Sequence, residues 1–147
     1  MRDELEKKIY DDFSALYANY TSPNCDGIEC GDGWFDIVYR LSFDIAKIIA
    51  TSENINPKDY TMSCVKEKYG TLRFYMCRYP EGSHERIAEA IKDSERTCED
   101  CGKEGRMKTD GWMRTICDPC DAERQRRREQ MFARLRRNDS ELMDVDW

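Results

Sequence analysis

Cys98-Glu99-Asp100-Cys101 and Cys117-Asp118-Pro119-Cys120 bracket the stretch CEDCGKEGRMKTDGWMRTICDPC, two C-x2-C pairs with fifteen residues between them. That spacing is the pattern of a four-thiolate metal site. One pair folds as a tight knuckle, a hairpin returns the chain, and the second pair completes a tetrahedron. Gly102 follows the first pair, where a knuckle needs a residue free to adopt positive φ. Pro119 and Asp121 mark the second pair as the opening of a helix, because proline is tolerated in a first turn and acidic residues favour that end. Knuckle, hairpin and helix in that order predict a treble-clef or zinc-ribbon-like module.

Other uses of the four sulfurs fit less well. The chain opens Met1-Arg2-Asp3-Glu4-Leu5-Glu6-Lys7-Lys8 with no apolar segment, so a reducing compartment is expected and disulfides are disfavoured. Redox C-x2-C motifs use one pair on a βαβ scaffold, which neither pair has around it. Iron in a rubredoxin-like site stays open, since thiolates alone do not select zinc. Zinc is the expected cofactor, held by Cys98, Cys101, Cys117 and Cys120.

Working outward, charge divides the 147 residues unevenly. Residues 1–97 hold 13 basic and 18 acidic side chains, 98–137 hold 11 and 8, and 138–147 hold none and 4, within a net charge of −6. An acidic front, a basic metal module and an acidic tail are thus expected, divided as an α+β domain over 1–95, a zinc module with a basic C-terminal helix over 96–137, and the tail over 138–147. No apolar run reaches membrane-spanning length, so membrane association is not expected.

The predicted fold class is α+β. Leu5, Ile9, Phe13, Leu16 and Tyr20 recur at helical steps and predict a first helix over about 3–20. A polar loop to Gly33 carries Cys25 and Cys30. Trp34, Ile37, Val38, Leu41, Ile45, Ile48 and Ile49 predict a second helix over 34–51. Over 61–79, Leu72, Phe74 and Met76 alternate with Arg73, Tyr75 and Cys77, the period of a half-buried strand in a β-hairpin. A two-residue turn at Gly70-Thr71 would set Cys64 opposite Cys77; a longer loop would shift that register. Ser83 is placed to cap a third helix burying Ile87, Ala88 and Ile91. The long final helix is expected from Pro119 towards Arg137, with Met131, Phe132 and Leu135 as its apolar contacts.

Three blocks carry a resemblance: Gly31-Asp32-Gly33-Trp34-Phe35, Val65-Lys66-Glu67-Lys68-Tyr69-Gly70-Thr71-Leu72-Arg73-Phe74-Tyr75, and Gly111-Trp112 through Cys120. With them the chain resembles a group of small uncharacterised bacteriophage and prophage proteins, over about residues 30–120. The resemblance implies a viral origin, hence the cytoplasm of an infected bacterial host, and implies no activity.

Catalytic patterns are scarce. His84 is the only histidine, so histidine-based nuclease sites, histidine-rich hydrolase zinc sites and Ser-His-Asp triads are hard to assemble. No phosphate loop, dinucleotide fingerprint or deaminase signature is present. No enzyme activity and no small-molecule substrate is expected, although the abundant carboxylates leave a carboxylate-based site conceivable. Arg124, Arg126, Arg127, Arg128, Arg134, Arg136 and Arg137 make the helix after the second knuckle the expected contact surface. As a solvated face, Glu123 would pair with Arg127. As a working face, Arg124, Arg126, Arg127, Arg128 and Arg134 would dock a host protein or protein complex, for example a defence system that the protein inhibits. The alternative is zinc-dependent nucleic-acid binding. Cys25, Cys30, Cys64 and Cys77 stand either as ordinary thiols or, if loop and hairpin meet, as a second zinc site.

Overall fold

The computed structural model describes residues 1–18, 20 and 26–143, with side chains through 137. The chain is α+β. It divides into two units, Met1–Ile116 and Cys117–Trp147.

The first unit begins with α1 (Asp3–Asp12), β1 (Ile28–Glu29) and α2 (Phe35–Thr51). β2 (Met62–Lys68), β3 (Thr71–Met76), α3 (Ser83–Ser94), β4 (Arg106–Lys108) and β5 (Arg114–Ile116) follow. One sheet has the order β1-β2-β3, and β4 pairs with β5 in a separate hairpin. Ile9, Trp34, Val38, Ile45, Val65 and Leu72 are wholly buried and form the centre of the core. α2 supplies most of it, because its apolar residues recur every three or four positions; Ser42 joins that buried face and hydrogen-bonds the Tyr17 hydroxyl at 2.8 Å.

α1 is shorter than its periodicity predicts. The backbone leaves the helix at Phe13, and the carbonyl of Leu16 accepts the amide of Met62 at 2.8 Å. That long-range bond draws the chain towards β2, while Phe13, Leu16 and Tyr17 stay buried. β1, expected as loop, lies parallel to β2 with Ile28 opposite Val65.

The β2–β3 turn is Tyr69-Gly70, both at positive φ (55° and 77°), the backbone of a type I′ hairpin turn. Lys68 pairs with Thr71 and Cys64 with Tyr75, so Cys64 does not face Cys77. The turn sits one residue earlier than a Gly70-Thr71 reversal because the Gly70 amide is held by Glu67 Oε1 at 2.6 Å. In α3, the Ser83 hydroxyl donates to the Pro80 carbonyl at 2.6 Å and does not cap the helix. Ala90 takes the buried position and Ala88 faces solvent.

In the second unit, α4 (Asp118–Met143) is the one described element and continues past Arg137. A lone helix cannot bury a face within its own unit. Met131, Phe132 and Leu135, expected to make its apolar contacts, accordingly find none within that unit among the described residues and stay 54, 49 and 52 % exposed. Residues 144–147 of the expected acidic tail lie outside the described residues. Among the described residues no helix is long and apolar enough to cross a membrane.

Candidate metal centre

Cys98 ends the segment leaving α3, and its knuckle closes locally. The Gly102 amide donates to the Cys98 carbonyl at 2.9 Å, the Cys98 amide to Lys103 at 2.7 Å, and Gly102 takes φ +76°. The Gly105 amide returns to the Arg96 carbonyl at 2.9 Å, and the chain enters the β4–β5 hairpin. The Glu99 amide donates to the Thr115 carbonyl at 3.0 Å, which ties the knuckle to β5. At the other pair, the Asp121 amide donates to the Cys117 carbonyl at 3.0 Å and opens α4 over Pro119.

The ligand atoms of Cys98, Cys101, Cys117 and Cys120 all lie within 4.8 Å of one another. None of the four is in a disulfide. Metal–sulfur bonds of about 2.3 Å in a tetrahedron place the sulfurs about 3.8 Å apart, so a small contraction suffices to seat one ion. Cys98 is buried, Cys117 and Cys120 half-buried and Cys101 exposed. Four thiolates suit zinc or iron and fill a tetrahedral ion's shell, leaving no position for water or substrate.

The seat of the first knuckle comes from far away in the sequence. The Gly33 amide donates to the Glu99 carbonyl at 2.8 Å, the Gly31 amide to Glu99 Oε1 at 2.9 Å, and Trp34 Nε1 to the Thr97 carbonyl at 2.8 Å. A Cβ on Gly33 would stand 2.7 Å from the Glu99 carbonyl oxygen and closer still to that of Cys98. The Gly-Asp-Gly-Trp block therefore works as a socket for the knuckle. Sequence reasoning read Trp34 only as core and gave the two glycines no role. Their signal, small residues on both sides of an aspartate before a helix, does not say what approaches them. The second block has a parallel duty. A Cβ on Gly70 would collide with the Met107 side chain, the Gly70 carbonyl accepts the Thr115 hydroxyl at 2.7 Å, and the Leu72 amide donates to Ser94 Oγ at 3.0 Å.

The remaining expected site residues are not gathered there. Arg124, Arg126, Arg127, Arg128 and Arg134 are exposed along α4. Glu123 Oε2 accepts Arg126 at 2.6 Å and Glu123 Oε1 accepts Arg127 at 2.9 Å. Arg127 first, then Arg126, hold the Glu123 carboxyl below the usual glutamate range. His84 is exposed and stacks on Tyr79 with ring centroids 5.0 Å apart. Among the described residues the second cysteine set does not assemble into a metal group. Cys64 is held in a disulfide, Cys77 is exposed at the end of β3, and Cys30 is buried with its thiol pushed up to about 12 by desolvation. Cys25 lies outside the described residues.

Compared with protein-family models, with curated proteins and with solved structures, the chain matches none.

Proposed function

We propose that this is a non-catalytic, zinc-scaffolded interaction protein of phage origin, acting in the cytoplasm of an infected bacterium. It binds a host protein or protein complex, such as a defence assembly, and blocks it. Zinc sits on Cys98, Cys101, Cys117 and Cys120 in a treble-clef arrangement and serves as a scaffold, holding the β4–β5 hairpin and the start of α4.

The observation that carries the reading is the composition of the exposed surface of α4. Arg128 and Arg134 stand in solvent together with Met131, Phe132 and Leu135. Arginine, methionine and aromatic side chains are the types enriched at protein interfaces, and a row of solvated apolar residues on a charged helix is otherwise costly. An acidic partner surface with an apolar groove complements such a helix.

The test is capture from bacterial lysate with the zinc-loaded chain, then direct binding of the identified partner in purified form. The double variant Arg128→Glu, Arg134→Glu leaves the Glu123 pairs intact and should abolish binding at unchanged zinc content and helicity. Equal binding by wild type and variant would refute the assignment of this surface.

A further inference from the structure

The outward face of the β2–β3 hairpin does not belong to the metal centre or to α4. Val65, Leu72, Phe74 and Met76 point into the core, so the alternate residues Lys66, Lys68, Arg73 and Tyr75 lie on the other face. Lys66 is paired directly with Arg73. Cross-strand partners stand about 5 Å apart at Cβ, and like charges there repel. Among the described residues none of Lys66, Lys68 and Arg73 forms a salt bridge. Glu29 neighbours Lys66 in the register and supplies one negative charge beside the three cations, but no salt bridge joins the two among the described residues. Such a face calls for an anion.

Beside it lies a largely apolar cleft of about 400 Å3, lined by Glu67, Lys68, Tyr69, Gly111, Trp112 and Met113. Lys68 is common to the cleft and the cationic face. Two aromatic rings are held there in solvent: Trp112 is 75 % exposed and Tyr69 63 %. Tyr69 has φ +55°, a conformation that asparagine or glycine adopts with less strain. The turn thus carries a strained tyrosine whose ring is not used in the core. Lys68 Nζ lies 5.4 Å from the centroid of that ring.

We infer that this cleft and the adjoining sheet face bind single-stranded nucleic acid, with Trp112 and Tyr69 stacking on bases and Lys66, Lys68 and Arg73 meeting the phosphates. Aromatic platforms beside cations are the chemistry of single-strand recognition, and every base offers a ring face to them. A duplex keeps its bases stacked on one another and cannot use the rings. Lysine is depleted at protein interfaces, which favours a phosphate partner over a peptide. The net charge of −6 does not forbid it. At physiological ionic strength, exposed charges more than about 8 Å away are largely screened, so the local cations dominate.

The experiment uses the full zinc-loaded chain and an eight-nucleotide oligothymidylate. The chain has three tryptophans, of which Trp34 is buried; a Trp147→Phe background removes the C-terminal one and leaves Trp112 as the exposed reporter. The oligonucleotide should quench its fluorescence, and Trp112→Ala should weaken binding about tenfold or more by anisotropy of a labelled strand. The logarithm of affinity should fall against that of salt with a slope of about −2, made shallower by Lys66→Ala and Arg73→Ala, and a duplex should bind far more weakly. These side chains lie outside the core, so zinc content and circular dichroism should not change. Binding that ignores Trp112→Ala and Lys66→Ala overturns the inference. So does an acidic tyrosine-containing peptide that quenches Trp112 where the oligonucleotide does not. The Arg128→Glu, Arg134→Glu variant should leave oligonucleotide binding intact; loss there would move the nucleic-acid site to α4, while failure of the protein-partner reading leaves this test unaffected.

Discussion

The indole nitrogen of Trp34 donates its hydrogen bond to the carbonyl of Thr97, 63 positions along the chain and one residue before the first cysteine of the knuckle. Trp34 is wholly buried, and the bond gives its indole N–H a partner inside the core. The centre of the core and the edge of the metal centre are thereby joined through a single side chain. Trp34→Phe removes the donor and some volume and leaves the Thr97 carbonyl unsatisfied. It should cost about 1–3 kcal/mol in urea unfolding and weaken metal retention against a chelator. An unchanged midpoint would show that the bond contributes nothing.

Gly33→Ala tests the socket by sterics. The added methyl would press on the backbone of Cys98, Glu99 and Gly102, none of which can rotate away. Overpacking of this kind costs about 1–3 kcal/mol, and the strain falls on the knuckle. Gly111→Ala is the contrast, since its Cβ would meet nothing within 4 Å, leaving only the strain of φ +104° in an exposed loop. Chelator competition should show earlier metal loss in Gly33→Ala than in Gly111→Ala.

Cys98→Ser should remove the buried sulfur of the centre. Elemental analysis should return one zinc per wild-type chain and a sharp loss in the variant. Structural zinc contributes about 10–16 kcal/mol in small modules, so its removal should melt the hairpin and the start of α4 together. Full retention of near-ultraviolet dichroism after chelation would contradict a scaffolding ion.

Cys30 and Cys77 should differ in reactivity. Burial holds the Cys30 thiol up at about 12, so almost no thiolate is present at pH 8, whereas Cys77 is exposed. Iodoacetamide at pH 8 followed by peptide mapping should label Cys77 at once, and Cys30 only after denaturation.

Glu123 provides a pH test for α4. Its carboxyl is held below the ordinary value of 4.5 in the folded chain, chiefly by Arg127. The stabilisation it supplies is therefore fully present above about pH 4.5 and is lost as pH falls through the lower folded value. Glu123→Gln should abolish that acid-side step in helicity while leaving the neutral-pH spectrum nearly unchanged.

The parts of this architecture that were legible beforehand are those encoded locally. The cysteine spacing marked the four sulfurs that do cluster, and the alternation of Leu72, Phe74 and Met76 marked the core face of β3. The α2 stripe likewise read correctly from Trp34 to Ile49. Features decided by distant contacts were not legible. α1 stops early because Leu16 is claimed by Met62, and the two residues of β1 are too few to show a period. The hairpin turn sits one position earlier than expected, which moves the partner of Cys64 by two, and a tyrosine at positive φ gave no turn signal in advance. On α4, periodicity revealed an apolar row but could not reveal whether anything within the chain would cover it.

Because the knuckle rests on residues more than sixty positions upstream, its cysteines do not make a transplantable cassette. A fragment starting at Arg96 would possess all four sulfurs and lack the surface that shapes half of them. During synthesis the amino-terminal core must already be in place before the ion can be gripped at full strength. Assembly of the four sulfurs thus depends on long-range contacts, which close more slowly than local ones.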